Sequence, residues 1–194
     1  MNPFIVFEGV DGAGKTTIGK RLARELSAVY LRTPGESYHS ARKHVDSSAS
    51  PEAKLLFYLS SVCDASHQAT LLRGSVPVVC DRYIWSSLIP HAAYHNRDLQ
   101  ALEQSWKFVT SGLAVPSHTI LLRVSEDEQL RRLKNRQEMT ASDAYCQQES
   151  LRRRARHFFD EIAKRDDWII LDTDNKGIDA VVGEILEQTV GVPA

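Results

Sequence analysis

Cysteine is scarce in this chain. Its three copies, Cys63, Cys80 and Cys146, are odd in number and too scattered for a CxxC or zinc-ligand pattern, so they read as reduced thiols of a cytoplasmic protein. No stretch approaches the ~18 apolar residues that a membrane span requires. Met1-Asn2-Pro3-Phe4 runs straight into a strand-like segment, and the expectation is a chain without a signal peptide. An excess of one charge is also missing: 24 basic against 25 acidic residues leave a net charge of -1. That balance argues against a nucleic-acid or anionic-membrane partner and makes any basic site local. The histidines lack metal-ligand spacing, no serine-histidine-acid constellation can be read, and neither an internal repeat nor a low-complexity linker interrupts the chain. With 194 residues, 42% of them hydrophobic, one α/β domain over residues 1–194 is expected.

What is present begins with compact apolar runs: Phe4 to Phe7, Val76 to Cys80, Thr119 to Val124 and Trp168 to Leu171, with Ala28 to Leu31 as a weaker fifth. Continuous rather than alternating runs indicate strands buried on both faces, as in a parallel sheet. Helix-period stretches lie between them. They comprise Ile18, Leu22 and Leu26; Leu55, Leu56, Leu59, Val62 and Cys63; Leu151, Ala155, Phe158 and Ile162; and Ile178, Val181, Val182, Ile185 and Leu186. The fold class expected is α/β, a doubly wound parallel five-stranded sheet flanked by helices. Residues 137–147 have weak periodicity between two helical stretches and read as a small lid.

The strongest local signal is Gly9-Val10-Asp11-Gly12-Ala13-Gly14-Lys15-Thr16, a G-x-x-x-x-G-K-[ST] sequence directly after a strand and before an amphipathic helix. Its glycines let backbone N–H groups wrap a phosphate, Lys15 reaches the β and γ oxygens of a nucleoside triphosphate, and the Thr16 hydroxyl can ligate Mg2+. A plain glycine-rich turn would not explain lysine followed by threonine at a helix start. The second element is Asp81-Arg82 at the end of a buried strand, where this fold needs another magnesium contact; Arg82 beside it can hold a second phosphate. Alone, such a pair is ordinarily a turn with a solvated ion pair. Arg32-Thr33-Pro34-Gly35 places a further cation on a turn, and with Arg82 it suits a fork-like grip on a phosphate monoester.

These elements in this order resemble the thymidylate kinase family of nucleoside monophosphate kinases. The resemblance lies in Phe4 through Thr17, in Arg32-x-Pro34, in Leu55-Leu56-Phe57, in Asp81-Arg82-Tyr83 with Ser86, and in Gln148-Glu149-Ser150. It implies ATP bound by Gly9 to Thr17, magnesium on Thr16 with Asp81 or Glu8, and transfer of the γ-phosphoryl group to a nucleoside monophosphate, dTMP foremost. It further implies that Asp11 contacts the acceptor, Phe57 stacks on its base, Arg32 and Arg82 hold its phosphate, and Ser86 and Tyr94 lie on the sugar side. A homodimer through the helices flanking the Asp-Arg strand is implied as well.

Three departures bear on the acceptor. Where the family carries a base-reading arginine four residues after the phenylalanine, this chain has Ser61. The stretch from Ser86 to His95 looks about four residues longer than the family's, with Tyr94-His95 in place of an aromatic-Gln pair. Residues 137–147 contain no arginine, so a catalytic cation must come from the flanks, Arg131, Arg132 and Arg136 or Arg152, Arg153, Arg154 and Arg156; Arg136 is nearest the lid. Other acceptors in the same fold, a different nucleotide, a nucleoside or a small metabolite, stay open. A regulatory GTP-binding reading would want Asn-Lys-x-Asp late in the chain, which Asp174-Asn175-Lys176-Gly177 does not supply.

Overall fold

The architecture follows from five short apolar segments that pair side by side. In the computed structural model, which describes residues 1–135 and 148–190, they form β1 (Phe4–Glu8), β2 (Val29–Arg32), β3 (Val78–Asp81), β4 (His118–Arg123) and β5 (Ile169–Asp172). All pairings are parallel, in the order β2-β3-β1-β4-β5. Every residue of β1 and β3 is buried, as continuous apolar runs require, while the edge strand β2 is only half-buried, which is why its sequence signal is weak.

Alternation along β1 divides the core in two. Ile5 and Phe7 face Ile18 and Leu22 of α1 (Lys15–Glu25) and Val181 and Ile185 of α9 (Ile178–Val190). Phe4 and Val6 face the opposite layer, built from α3 (Pro51–Leu72), α4 (Trp85–Tyr94) and α8 (Glu149–Arg165). Leu55, Leu59, Leu88, Ile89, Phe159 and Ile162 join these helices. The remaining helices are α2 (His39–Ser48), α5 (Leu99–Ser105), α6 (Lys107–Thr110) and α7 (Glu126–Lys134).

Some expected helix faces shift on inspection. Leu56 is 52% exposed and Cys63 is exposed, so only Leu55, Leu59 and Val62 of that set turn inward. On α8 the buried stripe runs through Arg152, Ala155, Phe159 and Ile162, with Phe158 at its edge. The stretch after Ser86 is the helix α4, which accommodates Pro90 internally. Arg136 and the expected lid at 137–147 lie outside the described residues.

The chain crosses from one side of β1 to the other after β3. β1, with the glycine-rich loop at its carboxyl end, therefore sits where the winding reverses, the place at which α/β sheets open a crevice for ligands.

Candidate active site

Register builds the site. Pairing β3 with both β1 and β2 sets Asp81 opposite Phe7 and Arg32 at the carboxyl ends of three adjacent strands. From there the loop over residues 9–14 turns back toward α1 on three glycines with positive φ, Gly9, Gly12 and Gly14. At Gly9 (φ +131°) a Cβ would sit 2.5 Å from the Leu122 carbonyl oxygen, so only glycine fits between this loop and β4. Lys15 is buried at the first position of α1, and its Nζ donates to the carbonyls of Gly9 at 2.7 Å and Val10 at 2.8 Å. Burial, reinforced by the Arg82 charge, lowers its pKa to about 8.

Beside it, the Thr16 hydroxyl donates to Asp81 Oδ2 at 2.5 Å, and the Tyr30 hydroxyl donates to the same oxygen at 3.0 Å. Asp81 Oδ1 is buried without a hydrogen-bond partner among the described residues. A buried carboxylate with an oxygen to spare, adjoining a threonine hydroxyl at a phosphate loop, fits a hard divalent cation that takes its other ligands from substrate phosphates and water. Glu8, the alternative carboxylate, is differently employed. It is fully buried, its Oε1 accepts from the backbone N–H groups of Tyr83 (3.2 Å) and Trp85 (3.0 Å), and its Oε2 accepts from Ser86 Oγ. Both Glu8 oxygens thus close the start of α4, whereas Asp81 keeps Oδ1 open. Desolvation, only partly offset by the Ser86 bond, raises the Glu8 pKa to about 7.

Arg82 occupies a left-handed backbone position (φ +74°), uncommon for a residue with a side chain. Its N–H donates to Phe7 O at 3.0 Å, and its guanidinium donates to Asp11 Oδ1 across the loop. Arg32 Nε lies 3.9 Å from Asp81 Oδ2 on the other side. Two guanidiniums thus flank the mouth of the phosphate loop.

A cavity of about 430 Å³ extends from this mouth. Gly9, Val10, Asp11, Thr16, Arg32 and Arg82 line one part of it, and Ser86 and Tyr94 of α4 line another. Phe57 and Ser61, the two acceptor residues expected on α3, do not line it. Phe57 packs edge-on against Tyr38, centroids 5.4 Å apart, and Ser61 is buried with its hydroxyl donating to the Tyr58 carbonyl. Their neighbours Lys54, Leu55 and Tyr58 face the cavity instead.

The flanking arginines separate by partner. Arg131 pairs with Glu128, Arg153 with Glu126 and Glu149, and Arg154 donates to the Arg97 carbonyl. Arg132 donates to Gly12 O at 3.2 Å and to Thr173 O at 2.9 Å, bracing the phosphate loop, and Arg156 bonds Val124 O and Gln129. Of the six flanking arginines among the described residues, Arg152 alone lines the cavity, 7% exposed and 3.2 Å from Glu126. Sequence reading missed three supports. Gln129, fully buried, donates to Asp11 O at 2.7 Å; Thr173 at the end of β5 donates to Ala13 O at 3.3 Å; Tyr30 holds Asp81. Only position beyond a strand end marked Thr173 in advance; Gln129 carried no signal, since a glutamine on a charged helix looks solvated.

A lysine-bearing phosphate loop at the central strand, a carboxylate on the strand beside it and a cavity that opens on that loop with two arginines at its mouth define a P-loop phosphotransferase site. Comparison with known proteins narrows the class. The thymidylate kinase family model matches residues 7–185. A probable thymidylate kinase of Methanococcus aeolicus is 30% identical over 197 residues, covering 97% of this chain and 96% of its own. A thymidylate kinase of Mycoplasmoides gallisepticum is 29% identical over 75% of this chain and 74% of its own. Among solved structures, the thymidylate kinase of Candida albicans superposes with a TM-score of 0.74 at 24% identity, covering 96% of this chain and 92% of that one, and shares the fold. The chain belongs to the thymidylate kinase family, whose members are ATP-dependent nucleotide kinases.

Proposed function

We propose that the protein transfers the γ-phosphoryl group of ATP to dTMP, giving ADP and dTDP, with Gly9 to Thr17 holding the ATP phosphates. The observation that carries this reading is the placement of Arg32 and Arg82 at the mouth of a cavity that also opens on the phosphate loop. A phosphate monoester is already nucleophilic near neutral pH, so positioning and charge neutralisation suffice and no base is required. Arg32 and Arg82 grip the acceptor phosphate, and Asp11 orients Arg82. Lys15 exchanges its loop carbonyls for the β and γ oxygens of ATP. Thr16 and Asp81 would hold magnesium, which would supply neutralisation of the triphosphate charge. Arg152 provides the cation that the arginine-free stretch 137–147 lacks, with Arg136 as the second candidate, and Ser86 and Tyr94 bound the sugar side. The chain works as a cytoplasmic enzyme on small nucleotides; no described helix is long and apolar enough to cross a membrane.

The test is ADP release from ATP and magnesium across ribo- and deoxynucleoside monophosphates, with nucleosides and a no-acceptor control. Fastest turnover of dTMP is expected. Silence on dTMP with turnover of another acceptor would sink the dTMP assignment and leave the phosphotransferase standing.

A further inference from the structure

Tyr30 makes a contact to Asp81 that the phosphate loop does not require. It stands on the edge strand β2 opposite Val79 of β3, and its ring packs on the core beneath α1. Room for the ring is built into that helix. At Gly19 of α1 a Cβ would come 3.3 Å from Tyr30 Cε2 and 3.5 Å from Phe7 Cδ2. A glycine inside a helix costs about 1 kcal/mol relative to alanine, so α1 is weakened where the ring enters. Lys20 Nζ lies 5.8 Å from the ring centroid. From this seat the hydroxyl donates to Asp81 Oδ2 at 3.0 Å.

The two oxygens of Asp81 are treated unequally. Oδ2 accepts from Thr16 and Tyr30 and has Arg32 Nε 3.9 Å away, whereas Oδ1, also buried, accepts from nothing among the described residues. Thr16 by itself would leave the carboxylate free to turn about its Cβ–Cγ bond, since the two oxygens are chemically equivalent. A second donor from a different element changes that. Exchange of the oxygens then breaks two hydrogen bonds to a charged acceptor in place of one, each worth about 1.5–3 kcal/mol. Partners that orient a ligating carboxylate in this way typically control metal affinity by roughly 10–100-fold.

We propose that Tyr30 is a positioning residue for the magnesium of the nucleotide complex: its hydroxyl, together with that of Thr16, pins Oδ2 and so keeps Oδ1 of Asp81 open for the cation. This rests on reading Thr16 and Asp81 as the pair that would hold magnesium. The edge strand β2 thereby serves both substrates, Arg32 at its end on the acceptor side and Tyr30 two residues earlier on the metal carboxylate.

The experiment is equilibrium binding of a non-hydrolysable ATP analogue to the whole chain in EDTA and in saturating magnesium, with thermal melting of each variant. Lost metal affinity appears as the same factor in the ratio of the two affinities, because binding of metal and nucleotide is linked. Tyr30→Phe keeps the ring against Gly19 and removes only the hydroxyl. It should lower that ratio by about tenfold, with the affinity in EDTA and the KM for dTMP within about twofold of wild type. Asp81→Asn should lower the ratio as well, and adding Tyr30→Phe to it should change the ratio by less than about twofold, since the two side chains act as one unit. Lys20→Ala, which removes another contact of the same ring, should leave the ratio where it is. An unmoved ratio in Tyr30→Phe, or an equal loss with and without magnesium alongside a lowered melting temperature, would overturn the proposal alone. A wild type that binds the analogue equally well with and without magnesium would overturn the Thr16 and Asp81 metal reading, and this proposal with it.

Discussion

Glu8 shows how one buried group is put to use. It stands at the end of the central strand, and with a proton on Oε2 it satisfies the same three groups: Oε1 still accepts from Tyr83 and Trp85, and Oε2 donates to Ser86. Its native carboxyl holds the proton to about pH 7, whereas the unfolded one, with the ordinary glutamate pKa of about 4.5, releases it. The native state therefore binds more protons between those values. The contribution is fully present below pH 4.5 and is lost as pH rises through 7, by roughly 3 kcal/mol in all. Glu8→Gln, which mimics the protonated form, should flatten that slope. Urea titrations at pH 5 and pH 8 would check it, and an equal loss in both proteins would remove Glu8 as the cause. A residue's type was legible here but its role was not. An acid before a phosphate loop looks like a metal ligand, and only the fold discloses that the Tyr83 and Trp85 amides meet one of its oxygens and the Ser86 hydroxyl the other.

At the scale of the element, helices decide which of several equivalent side chains reaches the cavity. Four arginines follow one another closely on α8, and their sequence offers no reason to choose. The buried stripe through Ala155, Phe159 and Ile162 turns Arg152 inward and leaves Arg153 exposed to pair with Glu149. Arg152→Ala should therefore lower kcat by about 10²–10³-fold, the loss of one preorganised charge at the transferred group, with Arg152→Lys recovering part of it. Arg153→Ala should change kcat less than twofold, since an exposed pair contributes little. Comparable losses in both variants, measured by single-turnover kinetics, would argue against a catalytic cation at 152. The same logic separates Tyr58 from Phe57 on α3. Adjacent helical residues point about 100° apart, and packing against the α2 side of the molecule selects which of them faces in.

For the whole molecule, the expected homodimer through the helices that flank β3 makes a further claim. α3, one of those helices, carries Leu56 and Leu71 exposed at 52% and 68%. Sedimentation equilibrium at micromolar concentration should give twice the chain mass, and a single-chain mass would sink the dimer.

Sequence alone determined the parallel α/β sheet and the phosphate loop, because both are written in short contiguous segments. Buried strands need unbroken apolar runs, and a phosphate cradle needs glycines at fixed spacing before a lysine at a helix start. It also carried Asp81 with Arg82, since two adjacent residues at a strand end share one location whatever the rest of the chain does. Tertiary structure decided the acceptor side. Its wall is assembled from α2, α3, α4 and, much later in the chain, α8, and a side chain's identity does not disclose the neighbours that packing will bring to it. Phe57, the expected base platform, is set by the fold against Tyr38, which its own helix pattern did not disclose.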